Sequence, residues 1–212
     1  MKQGQYDIVV VGGGHAGVEA SLVACYMGSK VALVTMDPTA IGRMSCNPAI
    51  GGLAKGQMVR EIDVLGGVMG FFADRSGIQF KVLNKKKGRA VWSPRAQIDK
   101  RQYEKLVREA VKNSDVDIVV GEVVSVKEVS GRVRSVLLRS GEEIKTVSAI
   151  ITSGTFLSGV IHIGERKINA GRMGEERAEG LTENLHSIGL RSARLKTGTP
   201  PRIEKSSIDW TK

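Results

Sequence analysis

The chain opens on an unbroken apolar run, Ile8 to Val11, that stops at Gly12-Gly-Gly14 and gives way to apolar residues at helical spacing. Val18, Ala20, Leu22, Val23, Tyr26 and Met27 lead to Gly28, and a second apolar run, Val31 to Val34, follows at once. Continuous apolar runs of this length mark strands covered on both faces, so residues 6–35 predict a strand-helix-strand unit with parallel strands. Lys55 to Leu65 has helical spacing, and a basic helix is expected from about Arg95 to Lys112. Asp117 to Val120 reads as a third buried strand. Val123 to Val129, Val133 to Leu138 and Ile144 to Val147 then alternate as a three-stranded meander, within 122–148, around the turns Ser130-Gly131 and Ser140-Gly141. Ala149-Ile-Ile-Thr-Ser-Gly154 reads as one more buried strand. Gly42 to Gly77 is rich in glycine, too long and too patterned for a plain loop. Beyond Phe156 only a short helix, about Gly180 to Ile188, stands out from an otherwise irregular stretch.

This order of elements predicts an α/β fold, a Rossmann-like domain of the glutathione-reductase type with a β-meander, apparently incomplete, and favours FAD over NAD as its ligand. The glycines Gly12, Gly14 and Gly17 fit the spacing G-x-G-x-x-G, with Gly13, His15 and Ala16 filling the loop. The first glycine permits a tight turn, the second lets a pyrophosphate approach the backbone, and the third lets the helix pack on the strand. Such spacing also arises by chance as a buried turn, but here the strand before it and the helix after it supply the required context. The acid that usually holds the ribose at the end of the second strand is replaced by Thr35. Asp37 lies two residues on; it can serve the ribose, or Asp37-Pro38 can be an ordinary turn pair, and both readings stand.

With 212 residues, 41% hydrophobic and 25% charged, the chain has the composition of a globular protein with one sizeable core. No apolar run approaches the ~20 residues of a membrane span, and the first apolar run sits directly on a glycine loop rather than in a signal peptide. A cytoplasmic protein without a membrane partner is expected. Cys25 and Cys46 form neither a disulfide framework nor a metal-ligand spacing, so no metal site is expected. The net charge of +10 is concentrated: Lys81 to Lys112 holds eleven Lys and Arg against three acids, a local balance of +8. Lys85-Lys86-Lys87, Arg89, Arg95, Lys100, Arg101, Lys105 and Arg108 are interleaved with Trp92 and Tyr103. Such a patch attracts polyanions through phosphate neutralisation. Alternatively it is the solvated side of a helix whose apolar stripe is Tyr103, Leu106, Val107, Ala110 and Val111.

Cys46 lies in Ser45-Cys-Asn-Pro-Ala-Ile-Gly-Gly52, where Asn47-Pro48 sets a turn. A helix beginning after Gly52, with Lys55 or Arg43 nearby, would lower the thiol pKa and make Cys46 a candidate nucleophile. Cys25, on the first helix among apolar neighbours, reads as a small structural cysteine.

Gly12-Gly-Gly-His-Ala-Gly17, Ser45 to Gly52, Arg95-Ala-Gln97, Gly154-Thr-Phe-Leu157, Ile161-His-Ile-Gly164 and Lys196-Thr-Gly-Thr-Pro-Pro-Arg202 together resemble the MnmG (GidA) family, over about Tyr6 to Asp209. The resemblance implies an FAD-dependent enzyme that, with the GTPase MnmE, installs carboxymethylaminomethyl or aminomethyl groups on carbon 5 of the wobble uridine of tRNA. It implies NADH as reductant, methylene-tetrahydrofolate as one-carbon source, and a homodimer as the assembly. By position Cys46 matches one of two catalytic cysteines, one of which adds to carbon 6 of the uridine. Gly12 to Gly17 match the pyrophosphate loop, and Val124 and Ala178 match flavin-contacting positions. Family chains are roughly three times as long, so this sequence corresponds to an N-terminal portion, expected to be inactive alone, and Lys212 is expected to be an artificial or frameshifted end. Two other functions remain open on the residues alone: a general flavin oxidoreductase, which would want a second cysteine beside Cys46, and a non-catalytic nucleotide- or RNA-binding module.

Overall fold

The computed structural model describes residues 5–45, 47–196, 198 and 203–211. Its strands are β1 (Tyr6–Val11), β2 (Val31–Thr35), β3 (Ala49–Gly51), β4 (Gly77–Leu83), β5 (Ser93–Ile98), β6 (Asp117–Val120), β7 (Val123–Val129), β8 (Arg132–Leu138), β9 (Glu143–Ile151), β10 (Val160–Ile163) and β11 (Arg166–Asn169). Its α-helices are α1 (His15–Tyr26), α2 (Lys55–Val64), α3 (Met69–Ser76), α4 (Lys100–Lys112) and α5 (Leu181–Ser187).

The principal sheet has the order β6-β2-β1-β9-β8-β7. Its first four strands are parallel, and β9, β8 and β7 form an antiparallel meander. One strand joins the two halves. Glu143, Ile144 and Lys145 of β9 pair with β8, whereas Thr146 and Ser148–Ile151 pair with β1. The sequence pattern suggested two strands here, Ile144 to Val147 and Ala149 onward; they are one, because the chain stays extended as its partner changes from meander to parallel sheet.

The period of two in β1 and β2 sorts their side chains onto two cores. Val10, Val31 and Leu33 join Val18 and Leu22 of α1, Phe72 of α3, Ile98 of β5 and Tyr103, Val107 and Val111 of α4. Val9, Val11, Ala32 and Val34 join Val123, Val126, Val136 and Leu138 of the meander and Leu181 of α5. Both faces of β1 and β2 are thus covered, as their unbroken apolar runs require. β6 is different. It is the last strand of the sheet, and Val120 is 61% exposed, so the third buried strand expected from the sequence is a half-exposed edge.

The glycine-rich stretch 42–77 supplies β3, α2 and α3. Glu19 of α1 accepts from the amides of Val68 (3.1 Å) and Met69 (2.6 Å), satisfying donors at the start of α3 that no helical carbonyl can reach. β3, β5 and β4 form a second, antiparallel sheet.

The basic segment 81–112, with its helix expected from about Arg95, divides in two. Arg95 lies in β5, paired with Gly51 and Lys81, and α4 starts only at Lys100, where the Asp99 carboxylate accepts from the amides of Arg101 (2.9 Å) and Gln102 (3.0 Å). Pairing with β3 and β4 outweighs helix propensity in Ser93–Ile98, whose Ser93, Ala96 and Ile98 are buried. The stretch after Phe156, read as irregular, contains the β10–β11 hairpin.

Candidate functional site

The parallel strands deliver four segments to one end of the sheet: Gly12 after β1, Met36 and Asp37 after β2, Gly121 after β6 and Thr152 after β9. The Gly12 amide donates to Val34 O (2.8 Å), the Gly121 amide to Thr35 O (2.9 Å), and the Thr152 amide to Val11 O (2.8 Å). Ligands of open α/β sheets bind at this carboxyl end.

The loop from Gly12 to Gly17 is shaped by what a side chain would strike. Gly12 has φ +107, and a Cβ there would lie 2.7 Å from Thr152 O. A Cβ at Gly17 would overlap the carbonyl oxygen of Gly12, which allows α1 to start directly against the strand it leaves. Gly13 is buried between Ile41 and Thr35, and its carbonyl accepts from the Gly42 amide at 2.8 Å. Gly14 is the opposite case. Nothing lies within 4 Å of the Cβ position, so the backbone is open there.

Gly14 is also the N-cap residue of α1, with no side-chain cap and no acidic residue in the first turn. The first helical bond runs from the Val18 amide to Gly14 O (2.9 Å), which leaves the amides of His15, Ala16 and Gly17 ahead of it. These donors and the positive end of the helix dipole face the open backbone and suit an anion such as pyrophosphate. His15 is half-buried, with its ring edge-on to Tyr103 at 5.6 Å. Burial, reinforced by the positive charges of Lys55 and Arg172, lowers its pKa to about 4, so the imidazole is neutral at pH 7.

Thr152 closes the loop from the far side. Its hydroxyl donates to Val11 O (2.8 Å) and Gly12 O (3.0 Å), although Thr152 is 140 residues from Gly12. Sequence reading passed over this residue; the only signal was an apolar run ending in Thr-Ser-Gly.

Val124 and Ala178, both matched to flavin contacts by resemblance, are placed by the meander and by the segment after β9, respectively. Val124 lies in β7, three residues beyond Gly121, and packs beneath Gly180. Ala178 exchanges backbone bonds with the segment after β9: its amide donates to Phe156 O (2.9 Å) and its carbonyl accepts from Ser158 N (2.8 Å). Between them the Glu122 carboxylate accepts from Arg139 and from the Glu179 amide (2.8 Å), which holds its pKa below the usual carboxylate range.

Asp37 is engaged locally. One carboxylate oxygen accepts from the amide (2.8 Å) and hydroxyl (2.6 Å) of Thr39, capping a short 3-10 turn, and the other pairs with Arg43 at 3.1 Å. The turn-pair reading of Asp37-Pro38 therefore describes its structure. Arg43 also pairs with Glu175 at 3.0 Å, a contact across 132 residues that no local pattern announces. α2 does begin after Gly52, and Lys55 sits at its first position, but Cys46 itself lies outside the described residues. Cys25 is half-buried against the core of α1.

Fold and loop together define a dinucleotide-binding α/β protein with a meander inserted before the fourth parallel strand. The model of the family "Glucose inhibited division protein A" matches residues 7–212, and the chain belongs to this GidA family. It is similar to the tRNA uridine 5-carboxymethylaminomethyl modification enzyme MnmG of Cytophaga hutchinsonii, with 49% identity over 98% of this chain and 34% of that protein. It is 51% identical to the MnmG of Chlorobaculum tepidum over 97% of this chain and 34% of the relative. A solved structure of Aquifex aeolicus GidA superposes with a TM-score of 0.90 at 48% identity, covering 98% of this chain and 35% of that one. The chain thus spans about a third of the length of the curated relatives it matches.

Proposed function

We propose that this chain is the FAD-binding N-terminal part of an enzyme that modifies carbon 5 of the wobble uridine in tRNA. The observation that carries the reading is the Gly12–Gly17 cradle, whose glycines are closed in except Gly14, in a chain whose MnmG relatives bear the name of a tRNA uridine 5-carboxymethylaminomethyl modification enzyme.

The cradle fits FAD. The amides of His15, Ala16 and Gly17 would hold the pyrophosphate, and Val124 and Ala178 would contact the cofactor from the meander side. Neutral His15 adds no charge of its own, so binding there rests on amides and the helix dipole. Bound flavin supplies two-electron redox chemistry; its reductant would be NADH and its one-carbon source methylene-tetrahydrofolate. Cys46 is the proposed catalytic cysteine of this part of the enzyme, on the strength of its motif. MnmE as partner and a homodimer as assembly would belong to the full-length enzyme.

The test is an FAD titration of the 212-residue chain followed by flavin absorbance and fluorescence. Saturable binding is expected, weakened more than tenfold in Gly14→Val, which fills the open side of the cradle. Equal affinity in the variant would reject the cradle as the pyrophosphate site.

A further inference from the structure

We propose that the tip of the β4–β5 hairpin is a stacking platform for an unpaired RNA base, with the Trp92 indole as its floor. The inference rests on the tRNA reading above and assigns a part of the surface to it.

The tip, residues 84–92, is basic and hydrogen-bonded within itself. Asn84 adopts a left-handed conformation and starts a 3-10 turn of Lys85, Lys86 and Lys87, closed by the Lys87 amide on Asn84 O (2.9 Å). The Asn84 side chain donates across the tip to Val91 O (3.4 Å). Trp92 donates from its indole nitrogen to Lys85 O (3.2 Å), fixing the ring against the lysine turn, and the Arg89 guanidinium lies 5.8 Å from the ring centre. Trp92 is 40% exposed.

An indole held in one orientation at the surface has lost its rotamer freedom before any ligand arrives, which removes part of the cost of binding. Every base has a π-face to offer such a ring, and neighbouring cations neutralise the phosphates that accompany it. Bases in a duplex are already stacked on one another, so the platform selects unpaired nucleotides, such as those of a loop.

The charge environment separates this tip from Lys100, Lys105 and Arg108 of α4. On α4, Lys100 and Lys105 face Glu104 and Glu109 one turn on, at 3.9 and 3.8 Å, and Arg108 donates to Thr39 O at 3.1 Å. Among the described residues no ion pair engages Lys85, Lys86, Lys87 or Arg89. A turn that carries Lys85, Lys86, Lys87 and Arg89 beside an exposed indole, with the Arg89 guanidinium over the ring, fits a polyanion with exposed aromatic faces.

The protein has two tryptophans, Trp92 and Trp210, so Trp210→Phe leaves Trp92 as the only indole reporter. In that background the 212-residue chain is titrated with unfractionated tRNA, with a single-stranded oligouridylate and with an RNA duplex of equal length. Quenching of Trp92 by tRNA and by the single strand, with weaker binding of the duplex, is expected. Trp92→Ala should weaken single-strand binding about tenfold or more with an unchanged salt slope, and Trp92→Phe, which keeps a ring but lacks the N–H, should restore most of it. Far-UV circular dichroism of each variant controls for folding. Binding of tRNA with no Trp92 quenching and no loss in Trp92→Ala would overturn the platform and leave the tRNA reading standing. No binding of any RNA by the parent chain would overturn both. A Trp92 emission shift that depends on protein concentration and not on RNA would assign the tip to self-association and overturn the proposal.

Discussion

Around Gly12–Gly17 the backbone is enclosed by Thr152, Ile41, Thr35 and Gly42, all distant in sequence, whereas the hairpin tip at residues 84–92 is shaped chiefly by bonds within itself. Of the four glycines in the first region only Gly14 leaves room for a side chain; the second region has room almost everywhere. A site that must admit a ligand against its backbone needs long-range enclosure, because only neighbours can forbid the wrong geometry. A site that presents side chains outward needs only a stable turn. Mutations at Gly12, Gly13 and Gly17 should therefore act on folding, and those at Gly14 and at the tip chiefly on binding.

Gly17→Ala should break the loop most severely. The added methyl meets the Gly12 carbonyl, and destabilisation of about 3 kcal/mol or more is expected in urea unfolding, measured on the ligand-free chain. Stability close to the parent would show that α1 can shift away from β1, against the enclosure just described. Gly14→Val meets no neighbour and sits at an N-cap, so it should cost only about 1 kcal/mol while abolishing most flavin affinity. A larger loss of stability than of affinity would reverse the roles assigned to the two glycines.

His15 sharpens the comparison through pH. Its folded pKa of about 4 lies below the ordinary 6.5, so between these values the unfolded chain binds the extra proton. Stability is then fully present above pH 6.5 and is lost as pH falls toward 4. The urea midpoint should decline over that window more steeply in the parent than in His15→Gln; parallel curves would mean that His15 is protonated without penalty in the folded chain. The smallest effect on stability is expected at the tip. Replacing Lys85, Lys86 and Lys87 together by Ala should leave stability within about 0.5 kcal/mol. The same variant should reduce the slope of log affinity for tRNA against log salt by about 2, if all three meet phosphate. An unchanged slope would make the lysines solubilising surface.

The parallel strands, the meander hairpins and the glycine loop were legible in the sequence because each is set by local patterns: apolar runs, alternation, and glycines at fixed spacing. The two-residue turn at Ser130-Gly131 has positive φ at both positions, as a tight hairpin with strand twist demands. What escaped was decided by distant partners. Ser93–Ile98 is a strand because β3 and β4 lie on either side of it, and β9 is one strand because β1 and β8 take successive parts of it. Arg43 and Glu175, or Thr152 and Gly12, leave no trace in local periodicity. For Asp37 the turn pair was legible, and its ion pair with Arg43 was not.

The path of β9 has a consequence for how the molecule is made. β1, α1 and β2 emerge from the ribosome before β9, so the strand on the other side of β1 and the hydroxyl that locks Val11 O arrive about 141 residues later. At about 5–20 residues per second the unfinished cradle waits roughly 7–30 s, with one edge of β1 unpaired. During synthesis this edge is open to misassembly, and the loop acquires its final shape only when Thr152 reaches it.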